Sequence, residues 1–333
     1  MSDLDQLLET RGQSSQLGAY VTAACFSATD QAAFALGDGT LRLPQNGEFT
    51  SIQAHNGAVL CLAAHPQGGF LTGGDDGRFV RVTDKTEELA KFGSKWAENA
   101  AVSPGKSPYL AVTVGKIIHL FSAKGEKLRE LAHASTVSGI VFDAKGKRIA
   151  ASHYNGASLW FAGSNAQPRV LDWKGSHTGI AMHPEGEALV TSMQENSLHG
   201  WTLPEGKHMR MSGYPSKTES MGFTKSGRWL ATAGAESVVL WPFFGGGPMG
   251  KAPIELGMGD GIVRRIACHP VHEVIAAGFD TGLTILINVN DEKIIPICGP
   301  GRGPVTALAW SATGSHLAIG TEPGFAALIN FSG

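Results

Sequence analysis

Three histidines occupy one column of this sequence: His65, His183 and His269 are each followed by a proline, Pro66, Pro184 and Pro270. Imidazole is the commonest metal ligand and general base, so such a column is the first place to look for chemistry. The His-Pro pairs are ordinary turn chemistry, and each falls in a different copy of an internal repeat, so the three cannot gather round one metal. His272-Glu273 opens like a zinc-peptidase motif, yet Ala276 stands where the second histidine is required. Gly245 to Lys251 has the G-x-x-x-x-G-K spacing of a phosphate loop. Ala252 then replaces the hydroxyl residue that would reach the metal, and Pro253-Ile254-Glu255-Leu256 reads as a strand where a helix must begin. This segment is therefore read as a linker or partner-contacting loop. Cys25, Cys61, Cys268 and Cys298 are isolated, with neither zinc-knuckle nor redox spacing, and read as small buried hydrophobes. No nucleophile elbow, Cys–His dyad or dinucleotide fingerprint is present. The expectation is a chain with no catalytic residue, cofactor or metal.

The elements that would position any site come from the repeat. An apolar run ends in a small polar residue, a second run follows, then a Gly/Asp/Asn turn and a third. The polar markers are Ser27, His65, Ser103, Asp143, His183, Thr224, His269 and Ser311, at intervals of 38, 38, 40, 40, 41, 45 and 42 residues. Such a period suits one four-stranded propeller blade, ~40–45 residues. Two residues before the marker the side chain is always small, from Cys25 and Ala63 to Gly222 and Ala309; one residue before, it is mostly larger, as in Phe26, Phe142 and Trp310. Strand neighbours point to opposite faces, and a small/large alternation fits the taper of innermost strands converging on an axis.

The second copy carries a family resemblance. His55 precedes strand a, Thr72 lies in strand b, and Asp76-Gly77 forms the turn between strands b and c. The chain resembles a WD40-repeat β-propeller from about Ala19 to Phe331, with degenerate repeats. The resemblance implies that His55, Thr72 and Asp76 form a structural hydrogen-bond set whose fourth member, a strand-c tryptophan, is here Thr83. Trp160, Trp201 and Trp241 stand at the comparable place in other copies, and Phe121 in the third. The fold expected is all-β: four-stranded antiparallel sheets in eight blades, seven being the alternative, as a single propeller over 1–333. The last copy lacks a fourth strand, so residues near Leu8–Ser14, within the N-terminal segment 1–18, are expected to close the ring as its outer strand.

In such propellers the d–a loops and b–c turns share one face, and the resemblance makes that face the docking surface for a protein or peptide. Loop aromatics beside cations appear as Lys95-Trp96, Trp173-Lys174 and Tyr214 near Lys217, and the b–c turns add Tyr154, Phe279 and Asp280. Aromatic residues bury much area at little entropic cost, which is why they anchor interfaces; the alternative for Trp96 and Trp173 is an inward blade-packing plug. Five residues before the marker the column reads Thr22, Leu60, Glu98, Ser138, Thr178, Glu219, Arg264 and Thr306, with Arg265 next to Arg264. Charges facing a crowded channel need partners, so Glu219 and Arg264 are expected to pair. These charges also carry the rival reading, an enzyme or small-ligand binder working in the channel. A third reading is a constitutive subunit of a larger complex.

Bulk composition favours a globular chain. Hydrophobic residues make 42% and charged residues 17% of 333, with 44 Gly and 16 Pro, which suits short strands and tight turns. Lys plus Arg number 27 against 29 Asp plus Glu, so a net charge of −2 supplies no field to attract nucleic acid or an anionic membrane. The acidic start Met1 to Glu9 lacks the pattern of a secretory signal, and no apolar run reaches membrane-spanning length. Nucleic acid and membrane are not expected partners, and the cytoplasm is the expected location.

Overall fold

Strand b of the second copy, Phe70–Gly74, is buried at every residue, as is Ala32–Leu36 of the first. A strand loses its apolar/polar alternation when a layer covers each of its faces. Here every sheet is flanked by two others: its middle strands are enclosed, while outer strands such as Glu48–Gln53 remain half-buried or exposed.

The computed structural model describes residues 3–332; Met1, Ser2 and Gly333, the ends of the expected span, lie outside the described residues. The protein is an all-β propeller of antiparallel sheets. Strands a follow one another in a closed ring, from Val21–Phe26 through Val305–Trp310 and back to the first. Apolar clusters fill the spaces between successive copies. Cys25 and Ala181 face the copy that follows theirs, and Phe26 and Met182 the copy before, so the small and large columns do line opposite faces.

Among the described residues the hydrogen-bonded sheets number seven, six of four strands and one of six. The expected eight separate sheets are thus corrected to the alternative count, although eight strands a circle the axis. The reason lies in copies four and five, which share the six-stranded sheet. Arg148–Phe161 reverses at Asn155-Gly156, where φ is 68° and 136°, a pair suited to the tightest hairpins. Its halves lie side by side, Ala162 N donating to Lys147 O at 2.9 Å. Arg169–Met182 then runs unbroken from the outer edge of copy four to the innermost strand of copy five, with Ser176 opposite Tyr154.

The first and last strands of the ring share a sheet: Gly12–Gln16 pairs antiparallel with Phe325–Asn330, Gly12 opposite Ile329 and Gln16 opposite Phe325. Within Leu8–Ser14, Leu8 to Arg11 belong to the helix Gln6–Arg11, and the strand begins at Gly12. Leu8 packs with Ile297 and Ile329, and the Asp5 carboxylate accepts from Gly299 N at 2.8 Å and pairs with Arg302 at 3.0 Å. Among the described residues no helix is long and apolar enough to cross a membrane.

Candidate functional site

The loops of the d–a and b–c face are pinned by buried polar anchors. His55 lies 2.9 Å from Asp76 Oδ1 through Nδ1 and 2.9 Å from Thr72 Oγ1 through Nε2. Asp76 also accepts from the backbone N–H groups of Asn56 at 3.0 Å and Arg78 at 3.1 Å. Burial lowers the His55 pKa despite the facing carboxylate, so a neutral ring ties the loop before strand a to the b–c turn. Gly77 completes that turn at φ 74°; a Cβ there would collide with the Gly93 carbonyl oxygen. The tryptophan position of this copy is Val82, not Thr83, because Phe70 pairs with Val82 as Leu189 pairs with Trp201.

Other copies build the anchor from different groups. His133 Nε2 meets Ser158 Oγ at 2.8 Å and accepts from Trp160 Nε1 at 3.1 Å, and His177 Nδ1 meets Thr191 Oγ1 at 2.6 Å. In copy six a phenol does the work: Tyr214 Oη bonds Thr232 Oγ1 at 2.6 Å and accepts from Trp241 Nε1 at 2.6 Å. Tyr214 is therefore mostly buried, which corrects its expected open place in the loop and leaves its ring only at the floor of a cleft. Phe279 is corrected likewise, fully enclosed between copies six and seven. Asp280 fixes its own loop, Oδ1 accepting from Ile262 N at 3.1 Å.

Around the axis, six strands a begin with a β-bulge. Register slips across Val21/Ala23, Val59/Cys61, Val137/Gly139, His177/Gly179, Val263/Arg265 and Val305/Ala307. The residues skipped are Thr22, Leu60, Ser138, Thr178, Arg264 and Thr306, and a bulge frees its residue from the ladder and re-aims it. Glu98 and Glu219 instead precede their strands, Asn99–Val102 and Met221–Phe223. Glu219 pairs with Arg264 Nη2 at 2.9 Å and with Arg265 Nη1 at 2.9 Å, and Arg265 Nε donates to Thr306 O at 2.9 Å. One carboxylate shared by two guanidinium groups holds neighbouring copies together. Glu98 has its pKa raised by burial. Trp96, close by in sequence, is 57% exposed.

Tyr154, Trp173 and Lys174 are brought together. They line a cleft of about 480 Å³ with Met193, Glu195 and Arg210; Asn155, Asp172 and His208 border an adjoining groove. Tyr154 is 56% exposed. The Trp173 ring stacks on buried His199, centroids 3.9 Å apart and planes 12° from parallel. His199 Nε2 meets His208 Nδ1 at 3.0 Å, and burial, then His208, His177 and Arg210, push its pKa down to about 3. His177 Nε2 donates to the Trp173 carbonyl at 2.9 Å, and Gly175 N donates to Asn155 Oδ1 at 3.3 Å. The cleft is thus held open by its own hydrogen bonds, with one face of the indole covered. Sequence reasoning missed Met193, Glu195, His199, His208 and Arg210. The signal was the c–d ladder of copy five, which sets His199 opposite Arg210 and Trp201 opposite His208.

Among the described residues no group of three or more His, Cys, Asp or Glu is placed to hold a metal ion. The chain's residues 47–80 match the family model of the WD domain, G-beta repeat, a span that contains His55, Thr72 and Asp76. The chain is also similar to the WD repeat-containing protein slp1 of Schizosaccharomyces pombe, 27% identical over 194 residues. That similarity takes in 54% of this chain and 40% of the relative's length. Such propellers are in general non-catalytic scaffolds for protein interaction. With ring, anchors and repeat in agreement, the chain is similar to WD40-repeat propellers, the family-model match itself covering residues 47–80.

Proposed function

We propose that this propeller works in the cytoplasm as a docking platform, holding a protein or peptide partner over the face of d–a loops and b–c turns. The observation that carries this reading is the cleft at Trp173: an indole with one side braced, an exposed Tyr154 ring, and Lys174 and Arg210 at the margin. Rigid aromatics beside cations supply contact area and orientation at low entropic cost. Trp96 and Glu98 extend the face on copy three, and Glu219 with Arg264 on copies six and seven. The rival reading, chemistry in the channel, loses Glu219, which is engaged by two arginines, and would have to rest on Glu98.

Affinity purification from the native host, comparing the wild type with Trp173→Ala and Tyr154→Ala, tests the proposal. The partner recovered by the wild type should be lost from Trp173→Ala and depleted from Tyr154→Ala. Recovery of the same partners by all three forms would place docking elsewhere.

A further inference from the structure

A second cleft, of about 340 Å³, opens on the same loops beside copy six. Its floor is aromatic: Tyr214 and Trp241, locked edge to hydroxyl by their 2.6 Å hydrogen bond, with Pro215 and Pro253 alongside. Its rim carries Glu236 and Glu255, both exposed, and Met258, which is 74% exposed. Ser237 Oγ donates to Glu255 Oε2 at 2.7 Å, so this carboxylate is held in place with one oxygen still free. Among the described residues no lysine or arginine lines the cleft.

Such a site has a definite complement. A cation over an aromatic face gains from the ring quadrupole, and a charge-assisted bond to a carboxylate adds to it. A guanidinium satisfies both demands better than an ammonium, since it is planar, stacks, and presents paired donors. The Trp173 cleft is mixed in charge, with Lys174 and Arg210 at its margin beside Glu195 and Asp172. We propose that the cleft of Tyr214, Trp241, Glu236 and Glu255 receives an arginine side chain of the docked partner. This rests on the docking reading and adds the sign of charge that the partner must present.

The test uses acetyl-arginine-amide as probe and the full chain labelled with ¹⁵N at its tryptophan indoles, the Trp241 resonance being assigned by its loss in Trp241→Phe. The probe should shift the Trp241 resonance saturably, while acetyl-citrulline-amide, the uncharged analogue, should not. Glu236→Gln with Glu255→Gln, two exposed positions, should weaken the response by about ten-fold, the size of one charge-assisted bond. An equal response to citrulline, or an undiminished response in the double variant, overturns the proposal. Loss of partner capture in Trp173→Ala bears only on the docking reading, and the arginine response of Trp241 only on this one, so the two fail separately.

Discussion

Trp173 and Tyr214 stand at corresponding approaches to copies five and six, and one ring is half-buried at its cleft while the other is buried almost completely. What separates them is which group completes the buried anchor of the following copy. Thr191 of copy five already receives His177 at 2.6 Å, so Trp173 is released to cover His199. Copy six has no histidine in its loop; Thr232 Oγ1 donates to Val239 O at 2.9 Å, and the Trp241 indole N–H finds its acceptor in the Tyr214 hydroxyl. A buried donor left unpaired costs more than a bond gained is worth, and Tyr214 is drawn inward. The two copies thus differ in which group bonds the strand-b threonine: the His177 ring at Thr191 and the Tyr214 hydroxyl at Thr232.

The largest expected contrast is in stability. Tyr214→Ala removes a buried ring and two hydrogen bonds and should cost about 3–5 kcal/mol, whereas Trp173→Ala removes a half-buried ring, its stack on His199 and part of its packing between copies four and five, about 2 kcal/mol. Tyr214→Phe keeps the ring but leaves the Trp241 indole N–H unpaired while Thr232 retains its bond to Val239 O, for about 1–3 kcal/mol. Urea unfolding of the three variants measures this order. Equal midpoints for Trp173→Ala and Tyr214→Ala would break the comparison, since both rings would then be structural.

Much of the fold could be read from residue types, because the repeat acts on backbone and packing. The eight polar markers, the small/large columns and the Asp76-Gly77 turn report where strands end and which faces meet. The fusion of copies four and five was hidden, since Asn155-Gly156 spells a hairpin in either case and nothing local says that Arg169–Met182 stays extended across the join. The site was less legible. Tyr214 and Phe279 belong to residue types that serve interface and core alike, and burial is decided by long-range demand: the Trp241 indole for one, the neighbouring copy for the other. Arg210 and His208 escaped notice because they lie on an outer strand, where sequence gives no reason to prefer one residue to the next.

Acid should separate the two clefts. His199, with its pKa near 3, and His177, lowered chiefly by burial, are neutral beneath Trp173. An unfolded histidine titrates near ~6.5, so the unfolded chain takes up protons first as pH falls. The histidines' contribution is thus complete above that value and declines toward the folded pKa, by up to about 1.4 kcal/mol per pH unit for one group. Tyr214 runs the other way: its pKa is pushed up to about 12, so its anchor is unchanged in acid and weakens only in alkali above the ordinary tyrosine value. Hydrogen exchange of residues 171–177 relative to 211–218, corrected for intrinsic rates, should rise from pH 7 to pH 5.5. A constant ratio would mean that the histidine anchor is not the weaker one.

The smallest effect tests whether charge sign is what distinguishes the clefts. Lys174 is exposed at the margin of the Trp173 cleft, where Asp172 and Glu195 already stand near, and Lys174→Glu should alter stability by no more than about 0.5 kcal/mol. It should nevertheless give the Trp173 indole a response to acetyl-arginine-amide that the wild type lacks, because the open face of the ring then looks onto carboxylates. That response should stay weaker than the one at Trp241, since Arg210 remains beside the ring. If the Trp173 resonance does not move, an aromatic face with carboxylates beside it is not sufficient, and the recognition at copy six depends on the closed shape that Tyr214, Pro215 and Pro253 give its cleft.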